Sequence, residues 1–214
     1  MPGSVKDALK WLDIHHNSFV SATPFADETK HSVPSDTAAW SQVLVSLLTG
    51  IHGLARKKGA DLADGSDVKG ANVWSAIDTP RFNGAIPSGR ISATSRKPPN
   101  VSALNNMPYI FFVMWDSYGP DEIPRCRIWC VRAQQDRVFR RVAAKWYSRR
   151  ASGQIKSTNF QLHPPRNQDH NVIRNTCGNM SFPLLFCARL RKSRFQMIAH
   201  NPDVLTNGAC KLVN

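Results

Sequence analysis

From Pro108 to Trp115 the chain reads Pro-Tyr-Ile-Phe-Phe-Val-Met-Trp, a continuous apolar run of strand length. A strand with one wet face alternates apolar and polar residues, so an unbroken run suits a strand buried on both faces. Such a strand needs cover on either side, which places it in the middle of a mixed sheet. The fold class that follows is α/β, a mixed central β-sheet flanked by helices. Arg125-Cys-Arg-Ile-Trp-Cys-Val-Arg132 reads as a second strand, with Cys126 and Cys130 on one face and Ile128 and Arg132 on the other. Phe182–Leu190 and Phe195–Ala199 read as late strands joined by the basic turn Arg191-Lys192-Ser193-Arg194, with a short strand at Phe160-Gln-Leu162.

Helical spacing appears three times. Val5 to His16 carries apolar residues at Val5, Ala8, Leu9 and Leu12, and a loop is expected from Thr23-Pro24-Phe25 to Val33-Pro34. Ser35 or Asp36 can cap a second helix through Trp40, Val43, Leu44, Leu47, Leu48 and Ile51, weakened at its end by Gly50 and Gly53. Arg56-Lys57-Lys58 follows, suited either to a solvated helix end or to phosphate contact. A third helix spans Ala133 to Arg150, with Val138, Val142 and Trp146 on one stripe and Arg137, Arg141 and Lys145 on the adjoining one. Thr79 to Asn106 is a long Gly-, Pro- and Ser-rich loop holding Arg81, Arg90, Arg96 and Lys97.

A chain of 214 residues can bury a real core, and no apolar run approaches a membrane span. The N-terminus lacks a charged-then-apolar signal pattern, and five irregularly spaced cysteines suit reduced thiols, so a cytoplasmic protein is expected. Cys126 and Cys130 lack the second pair that a zinc site needs. His31 reads as a solvent-facing loop residue, and His163 and His170, which lack ligand spacing, read as ordinary surface histidines. The net charge of +13 is uneven: residues 61–123 hold 5 Lys and Arg against 7 Asp and Glu, whereas residues 124–214 hold 17 against 3. A polyanion is the natural partner for the second of these stretches.

The acids concentrate around Gly59-Ala-Asp-Leu-Ala-Asp-Gly-Ser-Asp-Val-Lys-Gly70. Asp64-Gly65 is a turn dipeptide, and the alternating flanks predict a tight β-hairpin. Side chains two apart on a strand share a face, so Asp67 and Lys69 point one way and Val68 the other, with Asp61 brought near Asp67 by the pairing. Two carboxylates and the Val68 carbonyl form a hard oxygen site suited to Mg²⁺, and the Lys69 ammonium can orient a metal-bound water. The competing reading of the same residues is a solvated turn with a surface ion pair.

Asp61-Leu-Ala-Asp-Gly-Ser-Asp67-Val-Lys69 resembles the PD-(D/E)XK nuclease signature in its short-spaced form, as in type II restriction endonucleases, the MamI type among them, and the MutH-type mismatch-repair nickases. The stretch from Gly70 to Asn83 and Ser181-Phe-Pro-Leu-Leu-Phe-Cys187 have the same look. The resemblance implies a restriction-endonuclease-like fold in a single domain over residues 1–214. Its parts are a helical segment at 1–57, a catalytic core at 58–132 and a basic DNA-contacting part at 133–214. It implies Asp61, Asp67 and Lys69 as catalytic residues and Asp61, Asp67 and Val68 as ligands of Mg²⁺, for which Mn²⁺ can substitute. Asp64 is the alternative first acid. Some members carry a further acid on a preceding helix, where this chain offers only Asp36.

The implied activity is sequence-specific hydrolysis of double-stranded DNA leaving a 5′-phosphate. The implied assembly is a homodimer matching a palindromic site, with no small-molecule cofactor and no membrane. Candidate DNA contacts are Arg56, Lys57, Lys58, Arg81, Arg90, Arg96, Lys97, Arg137, Arg141 and Lys145, of which Arg90 or Arg96 suits bidentate contact to guanine. A non-catalytic basic DNA-binding module, a DNA nickase and an RNA-associated structural protein are the alternatives.

Overall fold

The computed structural model describes residues 3–29, 37–54, 60–74, 79–86, 101–166 and 168–214. Helices α1 (Val5–Thr29) and α2 (Thr37–Thr49) precede strand β1 (Asp67–Asn72). A 3₁₀ turn (Val101–Asn106) leads into β2 (Ile110–Tyr118) and β3 (Ile123–Val131), then helix α3 (Arg137–Ala151). The remaining elements are β4 (Val172–Ile173), β5 (Asn179–Ser181), β6 (Leu184–Arg191), β7 (Arg194–His200), α4 (Val204–Asn207) and β8 (Lys211–Val213). Five strands form one sheet in the order β1-β2-β3-β6-β7, with β1 parallel to β2 and the other neighbours antiparallel. β4, β5 and β8 form a small antiparallel sheet.

The apolar run lies where its composition placed it, inside a mixed α/β sheet. Ile110, Phe112 and Met114 of β2 pack in one core with Phe139, Val142 and Trp146 of α3 and with Phe82, Leu162 and Ile173. Phe111, Val113 and Trp115 pack in the opposite core with Ala8 and Leu12 of α1 and Leu44, Val45 and Leu48 of α2. All six β2 side chains are fully buried. α2 lies directly on β1 at Gly70, where a Cβ would stand 2.8 Å from Ser41 Oγ and 2.9 Å from the Thr37 carbonyl oxygen.

Several boundaries differ from expectation. α1 continues through Pro24 to Thr29, over the first part of the stretch expected to be a loop, whose remaining residues 30–34 lie outside the described ones. Proline removes one helix hydrogen bond there, while buried Ala26 anchors the last turns. α2 ends where Gly50 adopts φ +76°, and its expected caps Ser35 and Asp36 lie outside the described residues. α3 begins at Arg137 because Asp136 caps it, accepting from Phe139 N at 2.8 Å and from Cys210 N at 2.6 Å. Its buried face includes Phe139, Ala143 and Tyr147 beside the expected Val142 and Trp146. The late strands β6 and β7 meet at Lys192 and Ser193, both in the left-handed region.

The hairpin is the main correction. The turn exists, with Gly65 at φ +94°, but the segment before it does not pair along β1. Asp61 N and Leu62 N both donate to Ser66 O, closing the chain on itself before a ladder can start. Leu62 bridges Gly53 instead, with Leu54 N donating to Asp61 O and Ala63 N to His52 O.

The basic part of the sequence is also less free than its composition suggests. Asp116, fully buried on β2, accepts from Arg125 Nε at 2.9 Å and Nη2 at 2.7 Å and from Arg127 Nη2. The same two arginines donate to the carbonyls of Pro165, Gln168 and His170, and Asp169 bridges Arg125 and Arg189. Arg132 is tied to the Gly208 and Thr206 carbonyls. All five cysteines are buried thiols, and no helix among the described residues is long and apolar enough to cross a membrane.

Candidate active site

β1 is an outer strand of the five-stranded sheet, so one side of its backbone has no strand partner. Asp67 N donates to Tyr109 O and Val73 N to Trp115 O, and peptide groups alternate direction along a strand. The N–H and C=O of Val68 therefore face the open side. Asp61 sits there: its Oδ2 accepts from Val68 N at 2.8 Å, and Asp67 Oδ1 accepts from the same N–H at 3.1 Å. One amide thus gathers two carboxylates. Lys69 Nζ lies 2.7 Å from Asp67 Oδ2, on the strand face that Asp67 shares, while Val68 is buried under α2.

The two acids differ in setting. Asp67 is 7% exposed, and burial together with the neighbouring Asp61 carboxyl pushes it up to about 7, against the pull of Lys69. Asp61 is half-buried, and its Oδ1 accepts from Gln42 Nε2 of α2 at 2.8 Å. Asp64, the alternative first acid, is exposed and occupied elsewhere, accepting from Ser66 N and Ser66 Oγ at 2.9 Å each. Ser66 Oγ in turn accepts from Tyr109 N at 3.1 Å, so Asp64 holds the turn against the sheet. The geometry brings Asp61, Asp67 and Lys69 together and leaves Asp64 out.

These donors fit a hard divalent cation: two converging carboxylates and a carbonyl on the same open side, with a carboxyl that burial and its acidic neighbour hold protonated against the pull of Lys69. No group of three or more acidic, histidine or cysteine side chains gathers among the described residues, so water would complete the sphere of such an ion. A cavity of about 390 Å³ opens beside Asp61, walled by Gln42, Val43, Leu47, Ile51 and Leu54.

Gln42 is the contributor that sequence reasoning missed. It stands on α2, the helix preceding the motif, and nothing in the apolar spacing of α2 marks it. Of the candidate DNA contacts, Arg81 and the α3 row Arg137, Arg141 and Lys145 are exposed. Arg56, Lys57, Lys58, Arg90, Arg96 and Lys97 lie outside the described residues, as does His31. His170 is exposed, its ring against Gln168.

A five-stranded mixed sheet with helices on both faces and an acid pair gathered at the open edge of its outer strand is consistent with the restriction-endonuclease-like class. The chain belongs to the MamI restriction endonuclease family, whose model matches residues 24–199. It is 34% identical over 189 residues to the type II restriction enzyme MamI of Microbacterium ammoniaphilum, over 84% of this chain and 60% of that protein. The chain thus spans about 60% of the length of the curated relative it matches. No solved structure matches it.

Proposed function

We propose that this chain is a Mg²⁺-dependent endodeoxyribonuclease of the PD-(D/E)XK kind, cutting double-stranded DNA at a specific site. The observation that carries the proposal is the convergence of Asp61 and Asp67 on one backbone amide with Lys69 beside them. Asp61, Asp67 and the Val68 carbonyl would hold the ion. A bound Mg²⁺ would make a water acidic enough to attack and would offset charge on the phosphate.

The chain's own residues supply the rest. Lys69 orients the attacking water and favours negative charge developing at phosphorus. Gln42 keeps the Asp61 carboxylate turned toward Asp67. The exposed cations of α3 attract the backbone of the substrate, a contribution that weakens with salt. A homodimer, each copy cutting one strand of a palindromic site, belongs to the same proposal.

Incubating plasmid with the protein and Mg²⁺ tests it. Discrete fragments, absent when the metal is chelated, are expected. Plasmid left intact at every divalent ion tried would favour a non-catalytic DNA-binding module.

A further inference from the structure

Three extended segments lie over the α3 side of the sheet. Phe82 and Leu162 exchange backbone hydrogen bonds, 2.8 Å from Phe82 N to Leu162 O and 3.1 Å in return. His163 and Arg174 do the same at 2.9 Å each way. Antiparallel partners directly opposite each other point to one face, and successive residues alternate. One step from the Phe82–Leu162 pair, Arg81 stands opposite His163, and His163 stands opposite Arg174. Phe82, Leu162 and Ile173 are fully buried on the inner face. Arg81, His163 and Arg174 therefore form a row on the outer face, the two arginines exposed and the histidine half-buried.

The row has a fixed relation to the candidate active site. The Phe82 ring is 5.1 Å from that of Phe112, and Phe112 is the β2 partner of Lys69. The cations thus sit on the layer covering the sheet next to the strand that bears Asp67 and Lys69. After burial, the influences on His163 are Arg174 and Arg81, and all three lower its pKa. Two guanidinium forks and a ring N–H presented on one face can donate to a single oxyanion.

We propose that Arg81, His163 and Arg174 form a clamp for a backbone phosphate of the DNA substrate. The clamp rests on the nuclease reading above, and it positions the duplex without reading its sequence. His163 takes up a proton as the phosphate settles.

The test is binding of a short fluorescent DNA duplex to the full chain without divalent metal, measured across salt concentrations. One phosphate contact contributes about 0.9 to the slope of log affinity against log salt. Arg174→Ala is expected to lower the slope by about one and to weaken binding about eightfold at about 0.1 M salt, for any duplex sequence. Arg174→Lys keeps the slope. In the wild-type protein, added duplex raises the His163 pKa followed by NMR. An unchanged slope in Arg174→Ala, or a His163 titration indifferent to duplex, overturns the clamp. Plasmid cutting separates the two readings: cut plasmid with an unchanged slope removes the clamp and leaves the nuclease, whereas uncut plasmid with a reduced slope does the reverse.

Discussion

Cation binding at the candidate site should switch on across neutral pH, because Asp67 must lose a proton first. With its carboxyl raised to about 7, Asp67 is ionised in about one molecule in eleven at pH 6, half at pH 7 and about ten in eleven at pH 8. Apparent affinity for a divalent ion should therefore climb about tenfold between pH 6 and pH 8. An aspartate at the ordinary 3.8 would be ionised throughout that range. The folded chain holds this proton more tightly than the unfolded one. In the metal-free protein the group's contribution to stability is thus complete below pH 3.8 and is lost as pH rises through about 7. Mn²⁺ binding, followed by the resonance signal of the free ion at pH 6, 7 and 8, measures the first effect directly. Asp61→Asn removes the neighbouring carboxyl that helps raise Asp67, so the residual pH dependence should move toward acid. Affinity that is flat from pH 6 to pH 8 in the wild-type protein would show that Asp67 carries no such proton.

Two structural predictions follow from buried contacts. Asp116→Asn leaves Arg125 and Arg127 facing each other without their shared counter-charge, which should cost about 3–5 kcal/mol and lower the melting temperature by about 6–20 °C in calorimetry. Gly70→Ala drives a methyl group into the Thr37 carbonyl and Ser41 of α2, with an expected loss of about 1–3 kcal/mol in urea unfolding. Because α2 also carries Gln42, the same variant should bind Mn²⁺ more weakly than wild type at pH 8.

Much of the fold was legible because burial leaves local traces. The unbroken run ending at Trp115 announced a strand covered on both sides, and the Asp64-Gly65 dipeptide announced its turn. Asp67, Val68 and Lys69 could be assigned to faces because strand alternation depends only on neighbours. Long-range pairing leaves no such trace. Nothing local says that Leu62 bridges Gly53 rather than running along β1, that Gln42 reaches Asp61, or that His163 lies between Arg81 and Arg174. Net charge misleads for the same reason: Arg125 and Arg127 count toward the surplus of the C-terminal stretch, yet they are buried around Asp116. Pro24 read as a break because its local cost is real, yet α1 runs through it to Thr29.

The most direct measurement compares wild type and Lys69→Ala on one DNA duplex carrying a cleavable site, scoring binding and Mg²⁺-dependent cutting side by side. The variant is expected to bind the duplex still while cutting slows by about a hundredfold or more, since Lys69 acts on the water and on the charge at phosphorus. Cutting at the wild-type rate without that ammonium would contradict that role.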